Sequence, residues 1–394
     1  MGPLKGGRLV KLRLSDIRSF LKRADMLLFF LCLAASIMGL VEISSATATM
    51  SPSLIYVQSF ALLIGIVLYF LFTLIDADIF ADQWPLLLVA EFGLILLLAV
   101  VGSKDDTGNR AWIRFLGIGI QPAEVVKVIY IVLTAKHLTY LKEYRNLSSP
   151  LSIFQLVGHL VLLFGTYMVI SGDLGNALVF IFVFAVLVFA AGVKLYWFLF
   201  GAAAVALSVP LAWNYVLSDN QKNRILLPYI QDQIDPSGYG LSWEPTRAKL
   251  ALSSGRMWGT GLYQGTQTQT AEGGLRSKHA DYIFACIGEE MGMIGCIVVI
   301  LLLTAIIIRC VYVGVHCHST FGMLVCLGVV SMICFQLFNS VGMCTGLTPV
   351  IGLTLPFFSY GGSSLFTMFA AMGIVSGIRY RPKPSQFRSY SLEY

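Results

Sequence analysis

From Met26 to Gly102 the chain carries no lysine or arginine, and between Asn146 and Val193 its only charged residue is Asp173. Stretches this long and this apolar constrain the fold more than any motif does. A bilayer core about 30 Å thick is spanned by roughly 20 apolar residues in a helix, and a backbone in lipid must satisfy its own hydrogen bonds. Over 394 residues, 57% are hydrophobic and only 12% charged, against about 25% charged in an ordinary soluble chain. The expected fold is all-α: a polytopic integral membrane protein with about ten transmembrane helices and one long extracytoplasmic loop. The spans fall at about 26–43, 54–74, 85–102, 122–138, 152–171, 174–191, 195–216, 282–308, 319–342 and 362–379.

Residues 1–24 hold Lys5, Arg8, Lys11, Arg13, Arg18, Lys22 and Arg23, and the tail from 381 to 394 holds Arg381, Lys383 and Arg388, just after Arg379. The positive-inside rule puts both ends of the membrane domain, 25–380, in the cytoplasm, which requires an even number of spans. The basic start and Ala46-Thr47-Ala48 resemble a cleavable signal peptide, but the first apolar stretch is too long for one and reads as a retained helix. The net charge of +6 gathers at the two ends, so it is a topology signal and not the mark of a nucleic-acid partner. Seven of the 8 cysteines lie in the last third, mostly inside apolar runs, where they read as packing residues. His316-Cys317-His318 has no second pair at a zinc-like spacing, and no metal site is expected.

Two segments on the outer side break the charge rule. Residues 103–121 carry Lys104, Arg110 and Arg114, and the long loop, about 217–280, carries Lys222, Arg224, Arg247, Lys249, Arg256, Arg276 and Lys278. A long loop translocates regardless of charge, so the surplus points instead to an anion bound at the outer face.

Chemistry-bearing residues cluster at the same side. In "SKHADYIFACIGEEMG", 277–292, Asp281 stands at a helix start, where it either favours the positive end of the helix dipole or does chemistry. Glu289 lies roughly 12 Å deeper at 1.5 Å per residue, and it and Glu290 are either functional or paired with a basic group on a neighbouring helix. In "GNRAWIRFLGIGIQPAEVVKVIYIV", 108–132, Pro122 suits a first helical turn. Glu124 and Lys127 then share a face, either as an ion pair or with the lysine facing a cavity below Arg110 and Arg114. In "GLTPVIGLTLPFFSYGGSSL", 346–365, the prolines and glycines read as irregular backbone, tolerated at membrane depth only where buried in protein or lining a cavity. There Gly361, Gly362 and Ser363 would offer free N–H groups to a phosphate. Asp173, in "SGDLGNAL", reads first as the cap of the sixth helix, and Gln336 and Asn339 as interhelical hydrogen-bonding groups.

These stretches, with "GTGLYQGTQ", occur in the order and at the span positions of the SEDS family of bacterial cell-wall proteins, which includes RodA, FtsW and SpoVE, and the chain resembles that family from about Phe20 to Arg381. The resemblance implies a peptidoglycan glycosyltransferase that polymerises lipid II, the undecaprenyl-pyrophosphate-linked disaccharide peptide, into β-1,4 glycan at the outer face of the cytoplasmic membrane. It implies Asp281 as the essential carboxylate, a general base for the attacking 4-hydroxyl, with substrate-side roles for His279 and Ser359. Arg110, Lys127, Arg224 or a divalent cation, magnesium or manganese, would meet the pyrophosphate leaving group, with Glu124 orienting Lys127. It implies a class B penicillin-binding protein as partner. The alternatives are a lipid II flippase or other transporter, and a non-catalytic scaffold for a transpeptidase. This sequence has Ala123, Ser171-Gly172 and Ala280 where the family usually has Ser, Gln-Pro and Thr, and "GGLRSK" where a Pro-Glu is common, leaving Glu272 as the nearest glutamate. Elongation, division and sporulation members share these motifs.

Overall fold

The structure is a computed structural model that describes residues 23–104, 109–115, 118–270 and 273–380. The basic residues before Arg23, Glu272 and the tail residues Arg381, Lys383 and Arg388 lie outside the described residues, as does the Lys104 side chain.

Helices α1 (Met26–Ala46) and α2 (Ser53–Leu74) lead through the short α3 (Ala77–Asp82) into α4 (Trp84–Val101). An antiparallel sheet of β1 (Ser103–Lys104), β2 (Arg110–Phe115) and β3 (Ile118–Ile120) follows, in that order. Then come α5 (Pro122–Tyr144), α6 (Pro150–Ser171), α7 (Leu174–Ala191) and α8 (Leu195–Tyr215). The long loop is partly helical, with α9 (Asp219–Leu226), α10 (Gln231–Ile234), α11 (Trp243–Gly255) and α12 (Thr266–Gln269). The chain closes with α13 (Ile283–Glu290), α14 (Gly292–His316), α15 (Thr320–Thr345) and α16 (Gly362–Tyr380).

Long helices stand at all the expected span positions, and 8 of them are long and apolar enough to cross a membrane by length and composition. The two outside that set, α5 and α16, are the more polar and carry much of the buried polar surface, including Glu124, Lys127, Ser363, Ser364 and Thr367. Local chemistry starts and stops the helices: Ser149, Asp173 and Ser319 accept N–H groups of the first turns of α6, α7 and α15. Glycines 172, 192 and 346, in the left-handed region, close α6, α7 and α15. Helices α15 and α16 form the centre, α16 packing along α2 and α15 against α14, α7 and α5. By contrast, α8 buries none of its side chains.

Two features depart from the expected all-helical pattern of unbroken spans. The segment after α4 is a sheet in which Arg114 and Gly119 pair, and the Trp112 ring lies over Gly119, 3.2 Å from where a Cβ would stand. The eighth span is split at Met291–Gly292, where Gly292 has φ +69° and packs against the Met257 carbonyl. The break frees backbone groups that lipid could not satisfy, and the long loop takes them up. Thr260 N–H donates to Glu289 O at 2.9 Å and Gly261 N–H to Glu290 O at 3.0 Å, while Met293 N–H donates to Arg256 O at 2.8 Å.

At the other end of the bundle, Asp25 is fully buried and joins four helices. It caps α1 through Leu28 N–H, is paired with Arg309 at 2.8 Å and Arg379 at 3.1 Å, and its backbone bonds Tyr69 and Ser376.

At Gly255 a Cβ would press into the Gly288 carbonyl and lie 2.8 Å from that of Glu289. Gly255→Ala is expected to cost about 1–3 kcal/mol through overpacking of α11 on α13, read as a lower thermal midpoint of the detergent-solubilised protein.

Candidate functional site

Asp281 immediately precedes Tyr282, the N-cap of α13, so it stands one position outside the helix. It is half-buried, and a Cβ on Gly352 would come within 2.7 Å of its Oδ2. The segment that carries it is fastened on both sides. From the irregular stretch 346–361, Tyr360 N–H donates to His279 O at 2.8 Å and the Ser359 hydroxyl to Ala280 O at 2.7 Å. From below, Lys278, 2% exposed, runs its ammonium to the Thr268 carbonyl and to Thr49 Oγ1 at 3.1 Å. The His279 ring lies 5.4 Å from that of Tyr360, and its Nδ1 is buried without a partner among the described residues. Burial first, and then the Lys278 charge, hold His279 below its usual 6.5.

The 346–361 stretch is irregular, as expected, and neighbouring helices bond several of its backbone groups. Asn339 donates to Ile351 O at 2.9 Å, and Gln58 donates to Ser359 O at 3.1 Å and accepts Gly361 N–H at 3.0 Å. The Gly361 N–H is therefore not the free donor the sequence suggested, because a buried amide must be paired. Ser363 Oγ accepts Gln121 N–H at 3.0 Å, tying α16 to the start of α5, and Gly362 packs on Ala61. Asn339 bonds this stretch, whereas Gln336 is buried without a hydrogen-bond partner among the described residues.

Of the other candidates, Asp173 comes against this stretch through its neighbour Gly175. Asp173 caps α7 through Asn176 N–H at 3.2 Å and accepts the Tyr167 hydroxyl at 3.1 Å; Gly175, beside it, packs on Ile351 and Leu353, the neighbours of Gly352. Glu124 lies within Coulombic reach of that same Tyr167. Glu124 and Lys127 form an ion pair at 2.8 Å with side chains 3% and 0% exposed, the pairing that their spacing allowed. Arg224 lies in the last turn of α9, and Gln221 of that helix donates to Gly172 O at 3.0 Å. Arg110 lies on β2 and donates to Ala99 O at 3.2 Å, which draws its guanidinium to the end of α4.

Glu289 and Glu290 pair with no basic group in the described hydrogen-bond network. Glu289, 0% exposed, accepts Thr266 Oγ1, Gln267 N–H, Thr268 N–H and Thr268 Oγ1 at 2.7–3.0 Å, so it caps α12 from within the bundle. Glu290 accepts Ser45 Oγ at 2.5 Å, Gln269 Nε2 at 2.8 Å and Tyr263 N–H at 3.2 Å. Their fixed place at the break had no sequence signal beyond Gly292. The contacts that escaped sequence reading include the approach of Gly352 to Asp281 and that of Lys249 to the end of α15 at Gly346.

With this geometry established, the chain can be compared with known proteins. A family model described as "Cell cycle protein", covering FtsW, RodA and SpoVE, matches residues 25–383. The chain belongs to this FtsW/RodA/SpoVE family. It is 31% identical to "Stage V sporulation protein E" of Bacillus subtilis over 365 residues, 90% of this chain and 96% of the relative. It is 29% identical to "Peptidoglycan glycosyltransferase MrdB" of Escherichia coli K12 over 295 residues, 74% and 76% of the two chains. Among solved structures it resembles a chain described under "Structural coordination of polymerization and crosslinking by a peptidoglycan synthase complex", with 29% identity, TM-score 0.75, and 90% and 97% coverage. The Thermus thermophilus rod shape determining protein RodA matches at 26% identity and TM-score 0.67, over 92% and 98% of the two chains. Like those relatives, this FtsW/RodA/SpoVE member is a multi-pass membrane protein.

Glu289→Ala strips the carboxylate from four close donors and is expected to cost about 3 kcal/mol or more, read as faster protease cleavage within 256–270 in the solubilised protein. For His279 the folded ring is held neutral, so its contribution to stability is complete above pH 6.5 and is lost as pH falls through the lower folded value. Thermal midpoints should decline below pH 6.5, and His279→Gln should reduce that decline.

Proposed function

We infer that this chain is a peptidoglycan glycosyltransferase, and propose that it polymerises lipid II into β-1,4 glycan with Asp281 as general base. The glycosyltransferase activity follows from family membership and the named activity of relatives such as MrdB. The role of Asp281 is supported by one observation above others: a half-buried carboxylate on a segment bonded at 2.7 and 2.8 Å to the 346–361 stretch and pinned from beneath by Lys278. A base fixed in this way meets the acceptor 4-hydroxyl without reorganising, and takes its proton as the oxygen attacks the anomeric carbon. Inversion at that carbon needs one displacement, so no covalent nucleophile is required. Charge on the departing pyrophosphate would be met by Arg224, the basic candidate on α9, the helix that bonds Gly172 through Gln221. Lys127 is already neutralised by Glu124, so the pair serves to shape and polarise the site. His279, Asp173, Ser359, Gly361, Gly362 and Ser363 hold the surrounding backbone, and Arg110 would reach substrate only by leaving Ala99.

Among the described residues no three His, Cys, Asp or Glu side chains come together as a metal site. Magnesium is commonly held by one or two carboxylates plus substrate phosphates, so a magnesium or manganese ion here would be held chiefly by the pyrophosphate. We further propose a class B penicillin-binding protein as partner, in keeping with the synthase complex that a structural neighbour belongs to. The same reading places the protein in the bacterial cytoplasmic membrane with ten spans and both termini in the cytoplasm.

Glycan-strand formation from labelled lipid II, with and without the transpeptidase, tests this. Asp281→Asn is expected to lose about 100-fold or more in rate. Full activity in that variant would remove Asp281 from the mechanism, and no polymer from the unmodified chain with its partner would favour transport or scaffolding.

A further inference from the structure

No carboxylate occurs in sequence between Gly273 and Ala280, the approach to Asp281. The fold brings one there from 32 positions away. Glu244, in the first turn of α11, accepts the Arg276 N–H through both oxygens, at 3.0 and 3.3 Å. Beside it, Trp243 donates its indole N–H to Gly274 O at 3.2 Å. Two adjacent side chains of one helix therefore hold residues 274–276, five positions before Asp281.

Helix α11 is itself held firmly. Gly255 seats its far end on α13, and Trp243 is stacked on Tyr239 at 5.3 Å, with the Arg247 guanidinium 4.3 Å from its ring centroid. Arg247 also reaches Gln267 at 3.4 Å, next to the turn that Glu289 caps. The Arg276 guanidinium lies 5.8 Å from the Trp243 ring, close enough to attract the Glu244 carboxylate as well.

We propose that Glu244 is a positioning residue for the glycosyl transfer: by gripping the Arg276 amide it sets where the 276–281 segment, and with it the Asp281 carboxylate, meets the acceptor hydroxyl. The proposal rests on Asp281 being the general base. Lys278, Tyr360 and Ser359 fix the segment from its middle onward, and Glu244 fixes where it begins. Partial burial, opposed by the Arg276 and Ser277 amides, raises the Glu244 carboxyl above its usual range.

The test is lipid II polymerisation by the full chain in detergent, comparing wild type with Glu244→Ala, Glu244→Gln, Glu244→Asp and Asp281→Asn. A displacement of about 1 Å at a reacting group can cost about 100-fold, so Glu244→Ala should lower kcat by about 10- to 100-fold with KM for lipid II nearly unchanged. Glu244→Gln keeps an oxygen that accepts the Arg276 N–H and should recover most of the rate. Glu244→Asp keeps the charge but is too short to reach, and should fall with the alanine variant, which reads the proposal even if Glu244→Ala does not fold. Wild-type kcat in both Ala and Asp variants, a loss confined to KM, or a glutamine variant as slow as the others would overturn it. Asp281→Asn reports on the general base separately: activity there would sink the base assignment whatever the Glu244 variants do.

Discussion

Two carboxylates inside the bundle, Glu289 and Glu290, hold the long loop in place, and the geometry around Asp281 depends on them. A charge taken out of water is costly unless hydrogen bonds replace its hydration. Here the replacements come almost wholly from the loop: hydroxyls and amides of 263–269 on the side chains, and amides of 260 and 261 on the carbonyls that the helix break leaves open. The carboxylates need the loop to be tolerable where they sit, and the loop needs them as its anchor. Lys278 then links that anchored turn, through Thr268, to the segment bearing Asp281.

The opposite side of that segment is the irregular stretch 346–361. Such backbone inside a helical bundle needs partners for its amides and carbonyls, and Gln58, Asn339, Ser359 and the 279–280 carbonyls supply several of them. The same bonds that make the stretch tolerable also bring its glycine 352 against Asp281. Stability and site geometry are thus one set of contacts viewed from two sides.

How much of this could be read from the sequence follows the range of each interaction. Apolar runs are set by lipid over about 20 residues, so the long helices stand where hydropathy places them. Glu124–Lys127 and the Asp173 cap are contacts within four residues, and both were readable. The sheet after α4 was not, since its strands are short and its pairing is a backbone ladder with little pattern in the side chains. The split at Gly292 depended on loop residues 256–261 filling it, and the loss of a free N–H at Gly361 on a glutamine 303 positions away. Motif resemblance pointed at Asp281, but Ser359 and Glu244, which bond its segment, stand 79 and 32 positions from the residues they hold.

Asp25 carries a consequence for how the chain is assembled. Its carboxylate caps the first helix but acquires its charged partners only from Arg309 and Arg379, and its amide bonds Ser376, 351 positions on. Until α14 and α16 are in place, a chain already threaded into lipid lacks these two partners for its acidic group. The start of the first helix therefore reaches its full set of contacts only when the last helix has packed, which ties the two ends of the membrane domain to each other.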